Sequence, residues 1–211
     1  MSIQGLHVIS TGKQSPDELI AIAGTIYPYI DYIHLREKTW TEDAFRTAID
    51  ALLKAGVPRD KIIMNTHAQI ADAKTVGGVQ LTHQSISAAQ ARRWYGRLRI
   101  GCSVHSVKEA ANAAEDGADY VTYGHIFESG SKPGVEPRGL AGLREVVQQT
   151  SIPVVAIGGI TPDNTKEVLE SGAAGIAVLS GILLAEDPLA AVQRYRQSLE
   201  ESRSVTHHRN E

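Results

Sequence analysis

Short apolar runs alternate with longer amphipathic stretches from one end of this chain to the other, and that alternation limits the fold more than any other feature. Eight runs read as strands: Leu6–Ser10, Tyr32–Arg36, Lys61–Met64, Gly78–Leu81, Arg99–Ser103, Asp119–Tyr123, Pro153–Ile157 and Gly175–Leu179. They are apolar without strict alternation, the pattern of strands covered on both faces. Helical stripes lie between them, such as Phe45, Ile49, Leu52 and Leu53 at i, i+4, i+7 and i+8. Ser15-Pro16-Asp17-Glu18, Ser87…Gln90 and Ser106…Glu109 have capping-box spacing, and Thr161-Pro162 and Asp187-Pro188 repeat a cap-plus-proline entry. Gly56, Gly117 and Gly172 stand where helices should end in a left-handed cap.

Eight βα units allow a closed barrel or an open doubly wound sheet. The open dinucleotide-binding sheet needs a glycine fingerprint in its first βα turn, where this chain has Thr11-Gly12-Lys13-Gln14-Ser15. The expectation is therefore a single-domain (β/α)8 TIM barrel over residues 1–201, with a polar, disordered tail over 202–211. With 21 Lys+Arg against 24 Asp+Glu, no basic field recommends a nucleic-acid partner. The single cysteine, Cys102, rules out an intrachain disulfide and a multi-cysteine zinc site. Without a membrane-length apolar run or a signal-peptide pattern, no membrane partner is expected and the location is read as cytoplasmic. Self-association into a homo-oligomer stays open.

In such a barrel, function collects where strands end. Gly158-Gly159 after the seventh strand and Leu179-Ser180-Gly181 after the eighth have the makings of a phosphate cradle, because glycine lets backbone N–H groups approach an anion. Arg36 and Lys38, two residues apart, project to one side toward an anionic ligand; Asn65 and Ser103 add polar contacts at two further strand ends. His125 follows the sixth strand and opens a long connection reaching Arg138, which has the length of a lid and contains Lys132. Imidazole titrates near neutrality, so His125 is the candidate acid/base group. No histidine has HExxH spacing or an i, i+4 partner suited to a metal, so neither metal nor cofactor is expected. These readings lead to a small-molecule enzyme handling a phosphate-bearing substrate.

Four motifs carry a more specific resemblance: His34-Leu35-Arg36-Glu37-Lys38, Ile100-Gly101-Cys102-Ser103-Val104-His105-Ser106, Ile157-Gly158-Gly159-Ile160 and Ala177-Val178-Leu179-Ser180-Gly181. Together they resemble the thiamin phosphate synthase superfamily, and within it the TenI-type thiazole tautomerases. Set against the synthase pattern, His34 replaces a glutamine and Asn65-Thr66 replaces Asn-Asp. Thr82-His83-Gln84-Ser85 lacks a magnesium aspartate, and Gly124-His125-Ile126 stands where the synthase has Gly-Pro. The expectation is accordingly an isomerase: metal-independent aromatisation of a thiazole carboxylate phosphate tautomer, with His125 moving the proton. The resemblance implies that Arg36, Lys38 or Asn65 holds the carboxylate end. Gly158, Gly159, Ser180 and Gly181 would anchor the phosphate, and Lys132 matches a loop lysine of the family. Two alternatives are a thiamin phosphate synthase and a non-catalytic regulator that binds thiamin or a phosphate ligand.

Overall fold

A computed structural model describes residues 3–130 and 134–207, with side chains through Ser202. In chain order the elements are β1 (Gly5–Ile9), α1 (Pro16–Ile26), β2 (Tyr32–Leu35), α2 (Glu42–Lys54), β3 (Ile62–Asn65), α3 (Ala68–Ala73), β4 (Gly78–Leu81) and α4 (Ala88–Trp94). There follow β5 (Arg99–Val104), α5 (Val107–Glu115), β6 (Tyr120–Gly124), α6 (Gly139–Gln149), β7 (Val154–Ile157), α7 (Thr165–Glu170), β8 (Gly175–Val178), α8 (Ser180–Leu183) and α9 (Pro188–His207). The strands pair in parallel in sequence order, and β8 closes on β1 through Gly5–Gly175 to Val8–Val178. This is a (β/α)8 TIM barrel.

Strand alternation sorts the side chains into two cores. Leu6, Val8, Ile33, Leu35, Met64, Val79 and Val121 face outward and pack with helix residues such as Phe45, Ile49 and Leu52. Ile9, Tyr32, Ile63, Tyr120, Val155 and Ala177 fill the barrel. On α2, Phe45, Ala48, Ile49 and Leu52 are buried while Leu53 sits at the margin of the stripe. The strands run apolar through both faces because each face has a core of its own.

The caps show which local signals suffice. Ser15 with Glu18 and Ser87 with Gln90 form reciprocal capping boxes. Ser106 receives the Glu109 N–H, but the Glu109 carboxylate accepts from the His105 N–H, so that box is half made. Thr161-Pro162 does not begin a helix. Asn164 accepts the Thr161 N–H at 2.8 Å to make a turn, and α7 begins at Thr165. Gly56, Gly117 and Gly172 take φ of 94°, 87° and 93°, as left-handed caps require. Of the tail expected over 202–211, residues to His207 belong to α9, and residues 208–211 lie outside the described residues. The Ser202 hydroxyl donates to the Ser198 carbonyl, a bond within the helix that a non-periodic polar sequence does not advertise. No described helix is long and apolar enough to cross a membrane.

Candidate active site at the barrel mouth

The residues expected to cradle a phosphate converge at the C-terminal end of β7 and β8. Gly158 and Gly159 have φ of 99° and 68°, a region L side chains rarely adopt. Space demands glycine as well. A Cβ on Gly158 would collide with His125, and one on Gly159 with the Glu128 carbonyl and Phe127. The loop after β6 therefore lies directly over this turn, held by Ile126 N–H on the Ile157 carbonyl and Phe127 N–H on the Gly158 carbonyl. Across the cradle, Leu179 precedes α8, whose first residues are Ser180 and Gly181. Among the described residues, the N–H groups of Gly158, Gly159, Ser180 and Gly181 have no protein acceptor outside regular helix and strand bonding. The first N–H groups of a helix have no acceptor within it, so four donors are open at one place.

Tyr195, which the sequence reading missed, joins the two halves. Its hydroxyl reaches in from α9 and donates to the Ile160 carbonyl at 3.0 Å, just beyond Gly158-Gly159. The same hydroxyl lies under Gly181, where a Cβ would strike it. Burial raises the Tyr195 pKa, so it stays a neutral donor. It occupies one position of a helical stripe, and only tertiary structure shows what its tip touches.

The opposite rim is built from β2, β3 and β5. The Arg36 N–H donates to the Ser10 hydroxyl at 2.8 Å, and its half-buried guanidinium has no carboxylate or carbonyl partner among the described residues. Lys38 is exposed and Asn65 half-buried. Between the two cations, Glu37 turns inward and its carboxylate accepts from the Gly12 N–H at 3.3 Å, bracing the first loop. Ser103 accepts from the Gln80 amide at 3.1 Å, and Gln80 in turn accepts from Thr122 at 3.4 Å, so the hydroxyl is fixed from beneath. Thr66 has φ of 67°, a strained conformation for a β-branched residue, directly after Asn65. Lys132 lies outside the described residues.

His125 occupies the neck of the β6–α6 connection. It is only 4% exposed, and its Nε2 lies 3.0 Å from the Val135 carbonyl. A carbonyl only accepts, so Nε2 donates to it, and the buried Nδ1 has no partner among the described residues. The backbone repeats the tie: the Arg138 N–H donates to the His125 carbonyl, and Arg138 Nε donates to the Gly124 carbonyl at 2.9 Å. A cavity of about 580 Å³ lies within this connection, lined by Glu128, Ser129, Val135 and Glu136 among others.

Below the mouth the mainly apolar barrel interior holds one polar pair. His7 Nδ1 and His34 Nε2 lie 2.9 Å apart, both rings fully enclosed. Burial holds the His34 pKa down at about 3 and that of His7 well below the usual imidazole range, so the pair is neutral at pH 7.

Comparisons with known proteins place this architecture. Residues 6–182 match the family described as thiamine monophosphate synthase. A thiamine-phosphate synthase of Chloroflexus aurantiacus is 40% identical over 164 residues, covering 77% of this chain and 74% of that protein. One from Anaeromyxobacter dehalogenans is 38% identical over 203 residues, 95% of this chain and 90% of its own length. The solved thiamine phosphate pyrophosphorylase of Pyrococcus furiosus superposes with a TM-score of 0.79 at 31% identity, covering 94% of this chain and 96% of that one. These relatives overturn the thiazole tautomerase expectation, and the isomerase class with it. That expectation weighed local departures after β2, β3, β4 and β6 above a likeness running through nearly the whole chain. Its proton carrier, His125, is also bonded into its own loop. The chain is an enzyme of thiamin biosynthesis, and it belongs to the thiamine monophosphate synthase family.

Proposed function

We propose that this protein is a thiamine-phosphate synthase, joining a hydroxymethylpyrimidine pyrophosphate to a thiazole phosphate at the barrel mouth. The observation that carries this reading is the 38% identity to a protein of that name over 95% of the chain. In the reaction, the thiazole ring nitrogen forms a bond to the pyrimidine methylene carbon. The bond from that carbon to the pyrophosphate oxygen breaks, and pyrophosphate leaves with the electron pair. The four open N–H groups of Gly158, Gly159, Ser180 and Gly181 hold the thiazole phosphate, with Leu179 against the ring. Arg36 and Lys38 take the leaving pyrophosphate, where a guanidinium lacking an internal partner offsets the charge that builds as the bond breaks. Asn65 and Ser103 orient the ring that bears the leaving group. His125 holds the loop over Gly158-Gly159, which keeps water from the reacting carbon.

Magnesium is what the resemblance attaches to the synthase branch, and the donor set here does not fit it. Magnesium is usually held through one or two carboxylates. The ends of β3 and β4 offer Asn65, Thr66, Thr82 and Ser85, and the last two hydroxyls face each other at 3.4 Å within a turn. Among the described residues no group of three or more His, Cys, Asp or Glu is arranged to hold a metal ion.

The test is direct coupling. Purified protein given both substrates forms thiamine phosphate and pyrophosphate in equal amounts. A folded protein that binds thiazole phosphate yet forms no product would refute the assignment.

A further inference from the structure

The end of the barrel opposite the mouth gathers three arginines that the coupling reaction does not use. A cavity of about 420 Å³ opens there, lined by Ile3, Gly77, Arg92, Arg97, Arg99 and Asp119 among others. Three guanidinium groups face it, and they are not equivalent. Arg92 is fully engaged, donating to the carbonyls of Gly96, Leu98 and Gly117 and pairing with Asp119 at 2.7 Å. Arg97 pairs with Asp72 at 2.7 Å and also donates to its carbonyl. Arg99 lies with its guanidinium 5.2 Å from the Tyr32 ring centroid and has neither a carboxylate nor a carbonyl partner among the described residues.

The charge count follows from those pairings. Asp119 and Asp72 are taken by Arg92 and Arg97, which leaves Arg99 without a directly paired carboxylate, although the Asp31 and Asp60 carboxylates lie near the Tyr32 ring it rests on. The planar fork of Arg99 donors matches phosphate oxygens, whereas contact with the Tyr32 ring satisfies the cation without filling those donors. Immediately inside, the Tyr120 hydroxyl and His7 Nε2 are fully buried with no protein partner among the described residues. The His7 ring lies 4.7 Å from Tyr32 and 5.9 Å from Tyr120, enclosed behind the residues that line the cavity. We propose that this cavity is a second anion site, taking a small phosphate or diphosphate on Arg99, with Arg92 and Arg97 as fixed positive neighbours. It differs in kind from the mouth, where backbone N–H groups receive the phosphate, and it stands whether or not the coupling reaction does.

The test is a residue-resolved amide NMR titration of the full chain with inorganic pyrophosphate. Saturable shifts at Gly77, Gly96, Leu98 and the Arg99 side-chain N–H are expected. They should persist in Ser180→Asp, which places a carboxylate in the mouth cradle, and weaken at least about tenfold in Arg99→Gln, which loses charge-assisted bonds. Shifts confined to the mouth in the unsubstituted protein would overturn the proposal without any variant. Titration at the lower end unchanged by Arg99→Gln would overturn it too.

Discussion

The mouth and the barrel interior just below it both contain polar groups that the protein leaves without partners, and they differ in what solvent can do for them. At the mouth, the N–H groups of Gly158, Gly159, Ser180 and Gly181 and the Arg36 guanidinium lie where water or a ligand can reach them. In the interior, His7 Nε2, His34 Nδ1 and the Tyr120 hydroxyl are fully enclosed. An open donor near solvent costs little until a ligand arrives and then contributes a charge-assisted bond. An enclosed one weighs on stability instead, and for imidazole that weight depends on protonation. Substitutions at the mouth should therefore change function with little effect on stability, and interior groups should do the reverse.

The largest effect is expected from Ser180→Asp. A carboxylate at the start of α8 suits a helix N-terminus, so the fold is kept while phosphate is repelled. Affinity for thiazole phosphate should fall on the order of a hundredfold or more by calorimetry. Unchanged affinity would move the phosphate away from β8. Gly159→Asp is a poorer probe, because its φ of 68° and the Glu128 carbonyl above it make it destabilising too. Next is Arg36→Gln, which should lower coupling about 10- to 100-fold while leaving the melting temperature within a few degrees. A large stability loss with normal turnover would mean that Arg36 belongs to the scaffold.

The interior should break the other way. His34 has its folded pKa held at about 3, below its unfolded value, so between those values the unfolded chain binds more protons. Stability is therefore lost as pH falls from near 6.5 toward 3, by about 2 kcal/mol from His34 at pH 5. Denaturant titrations at pH 7 and pH 5, repeated on His34→Gln, should show a smaller acid loss in the variant. An equal loss would place the acid sensitivity elsewhere. The smallest effect is expected at the join between the regions. Tyr195→Phe removes one buried hydrogen bond, costing about 1 kcal/mol. It should also raise the KM for thiazole phosphate several-fold at constant kcat; a change in kcat alone would contradict a positioning role.

The barrel was readable because its evidence is local and repeated. Gly78–Leu81 matches the expected strand residue for residue, and the other strands shift by a residue or so at their ends. The glycine turns were readable for a similar reason, since Gly158-Gly159 and Ser180-Gly181 announce backbone geometry in one-dimensional form. What stayed hidden depends on distant contacts. Tyr195 acts across 35 residues of chain on Ile160. Glu37, flanked by two cations, turns in to brace Gly12. His125 looked like a free proton carrier because the Val135 carbonyl that binds its Nε2 lies ten residues on, in a connection without periodicity. The tautomerase expectation fails for a related reason: four strand ends are conspicuous, but similarity along the whole chain carries more information.

A crystal structure with bound thiazole phosphate tests most directly where the phosphate sits. The phosphate oxygens should lie about 3 Å from the N–H groups of Gly158, Gly159, Ser180 and Gly181, with Arg36 free to face the second substrate. A phosphate held by Arg36 and Lys38, with the glycine turns empty, would contradict that placement.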